Sequence, residues 1–175
     1  MARPEKKEKY MLIKFTPKQL KKITSVAESV AVYSETIFSK PKNVSDFINA
    51  HRANLEITEK EKEYFYVFGL STKNKIKFMD VVSVGTLNFS VVHPREVFRP
   101  AVLVGCASII IAHNHPSGSI EPSEEDIRLT KRLTEGGKLL GIEVLDHVIT
   151  GEAGKYYSFK ESGLMNRAVP VEAGK

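Results

Sequence analysis

The 175-residue chain has a single cysteine, Cys106, which excludes an internal disulfide and any metal cluster built from several thiolates. Its setting, Val104-Gly105-Cys106-Ala107, reads as buried packing. No apolar run approaches the roughly 20 residues needed to span a membrane. The charged start, Met1 to Lys9, leads into no apolar core with a small-residue cleavage site, so no secretory leader is read there. These absences fit a reducing cytoplasm. Glycine is missing until Gly69, so the N-terminal part cannot easily build glycine-dependent turns or phosphate cradles. Most of the chain also lacks a basic field. Residues 1–40 hold nine Lys/Arg against four Asp/Glu, which accounts for the whole formal charge of +5; residues 41–175 hold 17 of each sign. The body therefore has no net positive charge to attract nucleic acid, and only the arm could touch phosphate or an acidic partner.

Hydrophobic residues make up 42% of the chain, enough for one domain with a real core plus an arm, and its length is too short for two sizeable domains. Thr16-Pro17 opens a helix expected to run to about Ala31, with Leu20, Ile23, Val26, Ala27 and Val30 on one stripe. After the break at Ser39-Lys40-Pro41-Lys42, Asn43 or Ser45 would cap a second helix through about Ala53, with Val44, Phe47 and Ile48 as its apolar face. From Glu63 the pattern becomes aromatic and β-branched. Tyr64–Leu70 and Ile76–Val84 read as a hairpin around a turn at Lys73-Asn74-Lys75. Gly85–Val92 reads as a weaker strand or a loop, and as an edge open to a partner peptide. Pro94 starts a helix to about Gly105, with Val97, Ala101, Val102 and Val104 expected to face in. Ser108–Ala112 suits a strand buried on both faces. A long helix from Ser123 to about Leu140 stops at Gly141; strands at Ile142–Ile149 and Tyr156–Phe159 follow. Strands and helices interleave without any internal repeat, which predicts an α/β (α+β) layered domain, a mixed β-sheet flanked by helices. The stretch from Asn166 to Lys175 reads as a frayed tail.

The chemistry gathers in His113-Asn114-His115-Pro116-Ser117-Gly118, followed by Ser123-Glu124-Glu125-Asp126. Side chains at i and i+2 of a strand point the same way, so His113 and His115 would converge on one ion while Asn114 points away. Two imidazoles and a carboxylate, with water in the fourth position, make a tetrahedral zinc site open to substrate. Ser123 and Asp126 also fit a plain capping box, in which the serine caps the helix and the acid bonds back. The two readings are compatible, because a capped first turn would hold a carboxylate against the metal.

The combination His-x-His-Pro, six residues, Ser-x-x-Asp resembles the JAMM motif of the JAB/MPN metalloprotease family. Val82-Ser83-Val84-Gly85-Thr86-Leu87-Asn88, His93-Pro94-Arg95-Glu96-Val97-Phe98, Ala112–Gly118 and Leu145-Asp146-His147 further resemble its RadC-like branch. The resemblance covers about residues 43–164. It implies a basic N-terminal arm and helix (1–42), a RadC-like JAB/MPN domain with a cytidine-deaminase-like layered fold (43–165) and a C-terminal tail (166–175). The glycine-free N-terminus does not match the helix-hairpin-helix module of longer RadC-like proteins, so the chain resembles a short form.

The resemblance implies that His113, His115 and Asp126 are metal ligands for one Zn²⁺ per chain. Water on such an ion has its pKa lowered toward ~7, giving a nucleophile near neutral pH. Ser123 would stand near that water and stabilise the oxyanion, with pure capping as its rival role. The family's general base is a glutamate at an early core strand. Glu63 matches best, although Glu59-Lys60-Glu61-Lys62-Glu63 also reads as a solvated charge run; Glu96 and Glu61 come next. Of the other histidines, His147 has a structural role or supports a ligand from behind. His93 is a strand-to-helix turn residue, and His51 an exposed helix residue.

The expected function is a zinc metallohydrolase of the JAMM type acting on a peptide or isopeptide bond in a peptide or protein substrate. The alternative is a RadC-type DNA-repair or mobile-element accessory protein with a structural metal, which touches nucleic acid through the arm. A contiguous His-Asn-His does not fit an HNH nuclease, whose three residues are dispersed over a ββα element.

Overall fold

The computed structural model describes residues 36–85 and 92–166. The expected helix over 17–31, most of the basic arm, residues 86–91 of the stretch expected as a weaker strand or loop, and the expected tail beyond Asn166 lie outside the described residues. The elements in chain order are α1 (Pro41–Ala53), the one-turn α2 (Ile57–Lys60), β1 (Glu63–Leu70), β2 (Ile76–Gly85) and α3 (Pro94–Val104). They continue with β3 (Ser108–Asn114), α4 (Glu124–Leu140), β4 (Glu143–Thr150) and β5 (Tyr156–Ser158), with short 3₁₀ turns at Glu152–Gly154 and Leu164–Asn166. The five strands form one mixed sheet in the order β2-β1-β3-β4-β5, and only β3 and β4 run parallel.

The period-2 pattern of the strands sorts the core into two layers. Phe65 and Val67 of β1 and Ile109 and Ile111 of β3 pack with Val97, Phe98, Ala101, Leu129 and Leu133 from α3 and α4. Their neighbours Tyr64, Tyr66, Phe68, Ile110 and Ala112 pack on the opposite face with Val44 and Ile48 of α1. The strand β3 at the centre is buried on both faces along its whole length, as its continuous apolar run predicts.

Local chemistry explains the boundaries. Asn74, at φ 56, turns the hairpin. Gly105 and Gly141 end α3 and α4 at φ 64 and φ 68, in the left-handed region that favours glycine. The structure corrects the cap of α1: the helix starts at Pro41, and Asn43 reaches back one turn to accept from Lys40 N at 3.0 Å. Ser45 is buried within the helix rather than capping it. In α3 the inward stripe is Val97, Phe98 and Ala101, whereas Val102 and Val104 are 57% and 43% exposed. Gly105 reverses the chain, Cys106 N donates to Ala101 O at 2.9 Å, and the Cys106 side chain joins the core in place of Val104. His51 is half-buried, its ring edge-on to Tyr66 at 5.7 Å, rather than exposed.

Candidate metal centre

Four elements meet at one end of the sheet. Phe65 of β1 pairs with His113 of β3, and paired residues share a face. Glu63, two residues before Phe65, therefore falls on the same face as His113. Asp126 comes to that face from the first turn of α4, and His147 from β4, where it pairs with Ile111.

The ligating atoms converge closely. His113 Nε2 lies 2.9 Å from His115 Nε2 and 3.0 Å from Asp126 Oδ1; His115 Nε2 lies 3.7 Å from Asp126 Oδ2. Zinc bonds of about 2.0–2.2 Å in a tetrahedron give ligand–ligand edges of about 3.3–3.6 Å, so these separations are of the right size. Glu63 Oε1 is 3.9 Å from His113 Nε2, with its side chain 12% exposed. His113 and Asp126 are completely buried.

The protons of this cluster are constrained. His115 Nδ1 is 3.0 Å from Ser119 O, which can only accept, so that nitrogen carries a proton and Nε2 is the nitrogen that, in the neutral ring, presents a lone pair. The loop holding Ser119 is pressed against Gly151, where a Cβ would come within 2.8 Å of Gly118 O. Ser123 caps α4 as expected: its Oγ accepts from Asp126 N at 3.2 Å, while its N and Oγ both donate to Asp126 Oδ2 at 2.7 Å. The cap thus uses one carboxylate oxygen. The other, Oδ1, is buried and accepts no hydrogen bond. An orphaned anionic oxygen 3.0 Å from one imidazole nitrogen, itself 2.9 Å from a second, is the environment a bound cation satisfies. Ligand atoms of Glu63, His113 and His115, and of His113, Asp126 and His147, each lie within 4.8 Å of one another, a donor set that fits a metal ion and in which His113, His115 and Asp126 could hold zinc.

Burial pushes His113 below its ordinary pKa and His147 well below it. His115 is raised, chiefly by its contact with Asp126. Burial alone would raise Asp126, but its contacts with His113 and His115 outweigh that and hold it well below the usual carboxylate range.

The other candidates for the base stand apart from the cluster. Glu96 pairs with Arg95 and Arg99 on α3, at 3.4 and 3.0 Å, and Glu61 is exposed in the turn before β1. Three residues contribute more than sequence reasoning assigned them. Asn114 points away from the histidines, as expected, but its Oδ1 accepts from Tyr64 N and its Nδ2 donates to Lys62 O, each at 3.0 Å. One rigid amide thereby grips the backbone on both sides of Glu63. His147 and Thr130 stand behind His113, linked to each other at 2.6 Å. Thr130 lies four residues after Asp126, the spacing that puts two side chains on one helix face, and this was its only signal in the sequence.

Residues 38–164 match the family model described as the RadC-like JAB domain. The chain is 48% identical over 129 residues to a UPF0758 protein of Rubrobacter xylanophilus, covering 74% of this chain and 54% of that one. It is 41% identical over 159 residues to a UPF0758 protein of Methanosarcina barkeri, covering 84% and 69%. To a UPF0758 protein of Alkaliphilus metalliredigens it is 55% identical over 105 residues, covering 60% and 45%. The chain thus spans from 45% to 69% of the length of these relatives.

Proposed function

We propose that the chain, which belongs to the RadC-like JAB domain family, is a zinc-dependent hydrolase of peptide or isopeptide bonds. One observation carries the reading: His113 Nε2 lies 2.9 Å from His115 Nε2 and 3.0 Å from Asp126 Oδ1, a buried carboxylate oxygen without a hydrogen bond. When bound there, zinc supplies a Lewis acid that acidifies water and polarises a carbonyl.

The remaining chemistry falls to the chain. Glu63 stands at the rim of the cluster, less buried than Asp126, where it can take a proton from the attacking water. The water's oxygen bonds to the acyl carbon, the C–N bond breaks, and Glu63 passes the proton to the departing nitrogen. Ser123 holds Asp126 through its backbone N–H and its hydroxyl, and in this reading the hydroxyl turns to the developing oxyanion. The alternative DNA-associated role rests on the basic arm, nearly all of which lies outside the described residues.

The reading is tested by incubating zinc-loaded protein with a mixed peptide library and with peptides joined through lysine side chains. Cleavage products are followed by mass spectrometry. Wild type is expected to generate new termini, and Glu63→Gln to slow cleavage by roughly 10²–10⁴-fold at unchanged zinc content. A zinc-replete wild type that cleaves nothing contradicts the hydrolase reading. Cleavage at the wild-type rate by Glu63→Gln contradicts the role of Glu63 alone.

A further inference from the structure

Behind the three ligating residues runs a buried line of hydrogen bonds that ligation itself does not require. We propose that Thr130 and His147 are positioning residues that lock His113 in the tautomer whose Nε2 lone pair faces the metal. The use of that lone pair rests on the zinc reading above; the identity of the tautomer rests on the hydrogen bonds alone.

The protons can be followed link by link. Thr130 Oγ1 has one proton and two close partners: Asp126 O at 2.6 Å and His147 Nδ1 at 2.6 Å. A carbonyl only accepts, so the hydroxyl proton goes to Asp126 O. Thr130 Oγ1 must then accept, which places a proton on His147 Nδ1. In a neutral imidazole with its proton on Nδ1, Nε2 of His147 is left with a lone pair. That lone pair lies 2.9 Å from His113 Nδ1, which must therefore carry the ring proton of His113. His113 Nε2 is left unprotonated, facing Asp126 Oδ1 and His115 Nε2.

Two features make the line a device rather than a coincidence of packing. Thr130 is 3% exposed and both His113 and His147 are 0% exposed, so water does not compete for any link. The rings are also held in plane: Phe159 stacks on His147 at 4.7 Å, and Phe65 stacks on His113 at 6.2 Å. The line starts at the carbonyl of the residue whose carboxylate faces the cluster. The first turn of α4 therefore places the anionic ligand and also sets the proton of the opposing histidine. A hydrogen bond to the far nitrogen of a metal-bound histidine fixes its orientation, and losing such a partner costs roughly 10–100-fold in metal affinity.

Histidine-labelled protein, as purified and after zinc saturation, is examined by long-range ¹H–¹⁵N correlation, with each ring assigned by single substitution. Wild type is expected to show His113 and His147 as Nδ1–H tautomers, with zinc shifting Nε2 of His113 and not coordinating His147. Thr130→Val removes the acceptor at nearly constant shape, and His147→Phe keeps an aromatic ring against Phe159. Each is expected to give a mixed tautomer at the histidine it releases and a zinc affinity lower by roughly 10–100-fold, with Thr130→Ser restoring both. An Nε2–H tautomer of His113 in wild type overturns the proposal. So does zinc coordinated by His147, or unchanged tautomers and affinity in both variants. A wild type that binds no zinc defeats the hydrolase reading, while the tautomer of His113 still decides this one.

Discussion

Asp126 serves three partners at once. Its Oδ2 closes the cap of α4 with Ser123, its Oδ1 faces His113, and its carbonyl accepts from Thr130. Asn114 shows a similar economy, joining Lys62 O and Tyr64 N through one buried amide. Replacing it with alanine leaves a buried N–H and a C=O on either side of Glu63 without that partner. Asn114→Ala is expected to cost about 1–3 kcal/mol, read from urea unfolding, and to slow hydrolysis more than it weakens zinc binding. A variant as stable as wild type would remove Asn114 from the account. At this scale the ligand candidates were legible, because the i, i+2 histidines and the Ser-x-x-Asp box are local patterns. The grip of Asn114 spans 50 residues and depends on the β1–β3 register, which no local pattern records.

Among the elements, the interface of α4 with the sheet turns on adjacent glycines. A Cβ on Gly137 would meet Ile142 O at 2.5 Å and Val144 Cγ2 at 3.3 Å, whereas one on Gly136 would meet only Phe98 Cε2, at 3.5 Å. Gly137→Ala is thus expected to destabilise by about 1–3 kcal/mol through overpacking. Gly136→Ala is expected to stabilise by about 0.4–1 kcal/mol, since helical backbone favours alanine. Urea midpoints measured in parallel check the pair, and a shift of the same sign in both would contradict this packing. The helices and strands were largely visible from periodicity and from the stops at Gly105 and Gly141. The inward stripe of α3 was misjudged at Val102 and Val104, because a reversal at Gly105 hands the buried place to Cys106. The placing of His147 was hidden for a related reason. A register shift between the β3–β4 pairs Ile109↔Val144 and Ile110↔Asp146 inserts an extra residue, so Val144 and His147, three apart, both face α4.

For the molecule as a whole, the fold class was legible because alternating β and α patterns admit few layered arrangements. Strand order and the one parallel pair came only from the assembled sheet. The buried cluster also makes stability depend on pH. His113 and His147 have folded pKa values below the ordinary 6.5, so below that pH the unfolded chain binds protons that the folded chain refuses. Stability then falls as pH drops from 7 to 5, by at most about 1.4 kcal/mol per pH unit for each uncompensated proton. His115 is raised, so its contribution has the opposite sign, present below pH 6.5 and lost as pH rises through its folded value. Zinc adds a slope of the same sign as the two buried rings, because its histidine ligands must be neutral. Urea unfolding at pH 5, 6 and 7 is expected to show the decline, flattened in His147→Phe; greater stability at pH 5 than at pH 7 would contradict it. The central claim is that His113, His115 and Asp126 hold a metal, and its most direct test is the zinc content of the purified protein. Wild type is expected to carry one zinc per chain, and a His113→Ala, His115→Ala double variant that still folds to carry none. A folded wild type that takes up no zinc when the ion is supplied would contradict it.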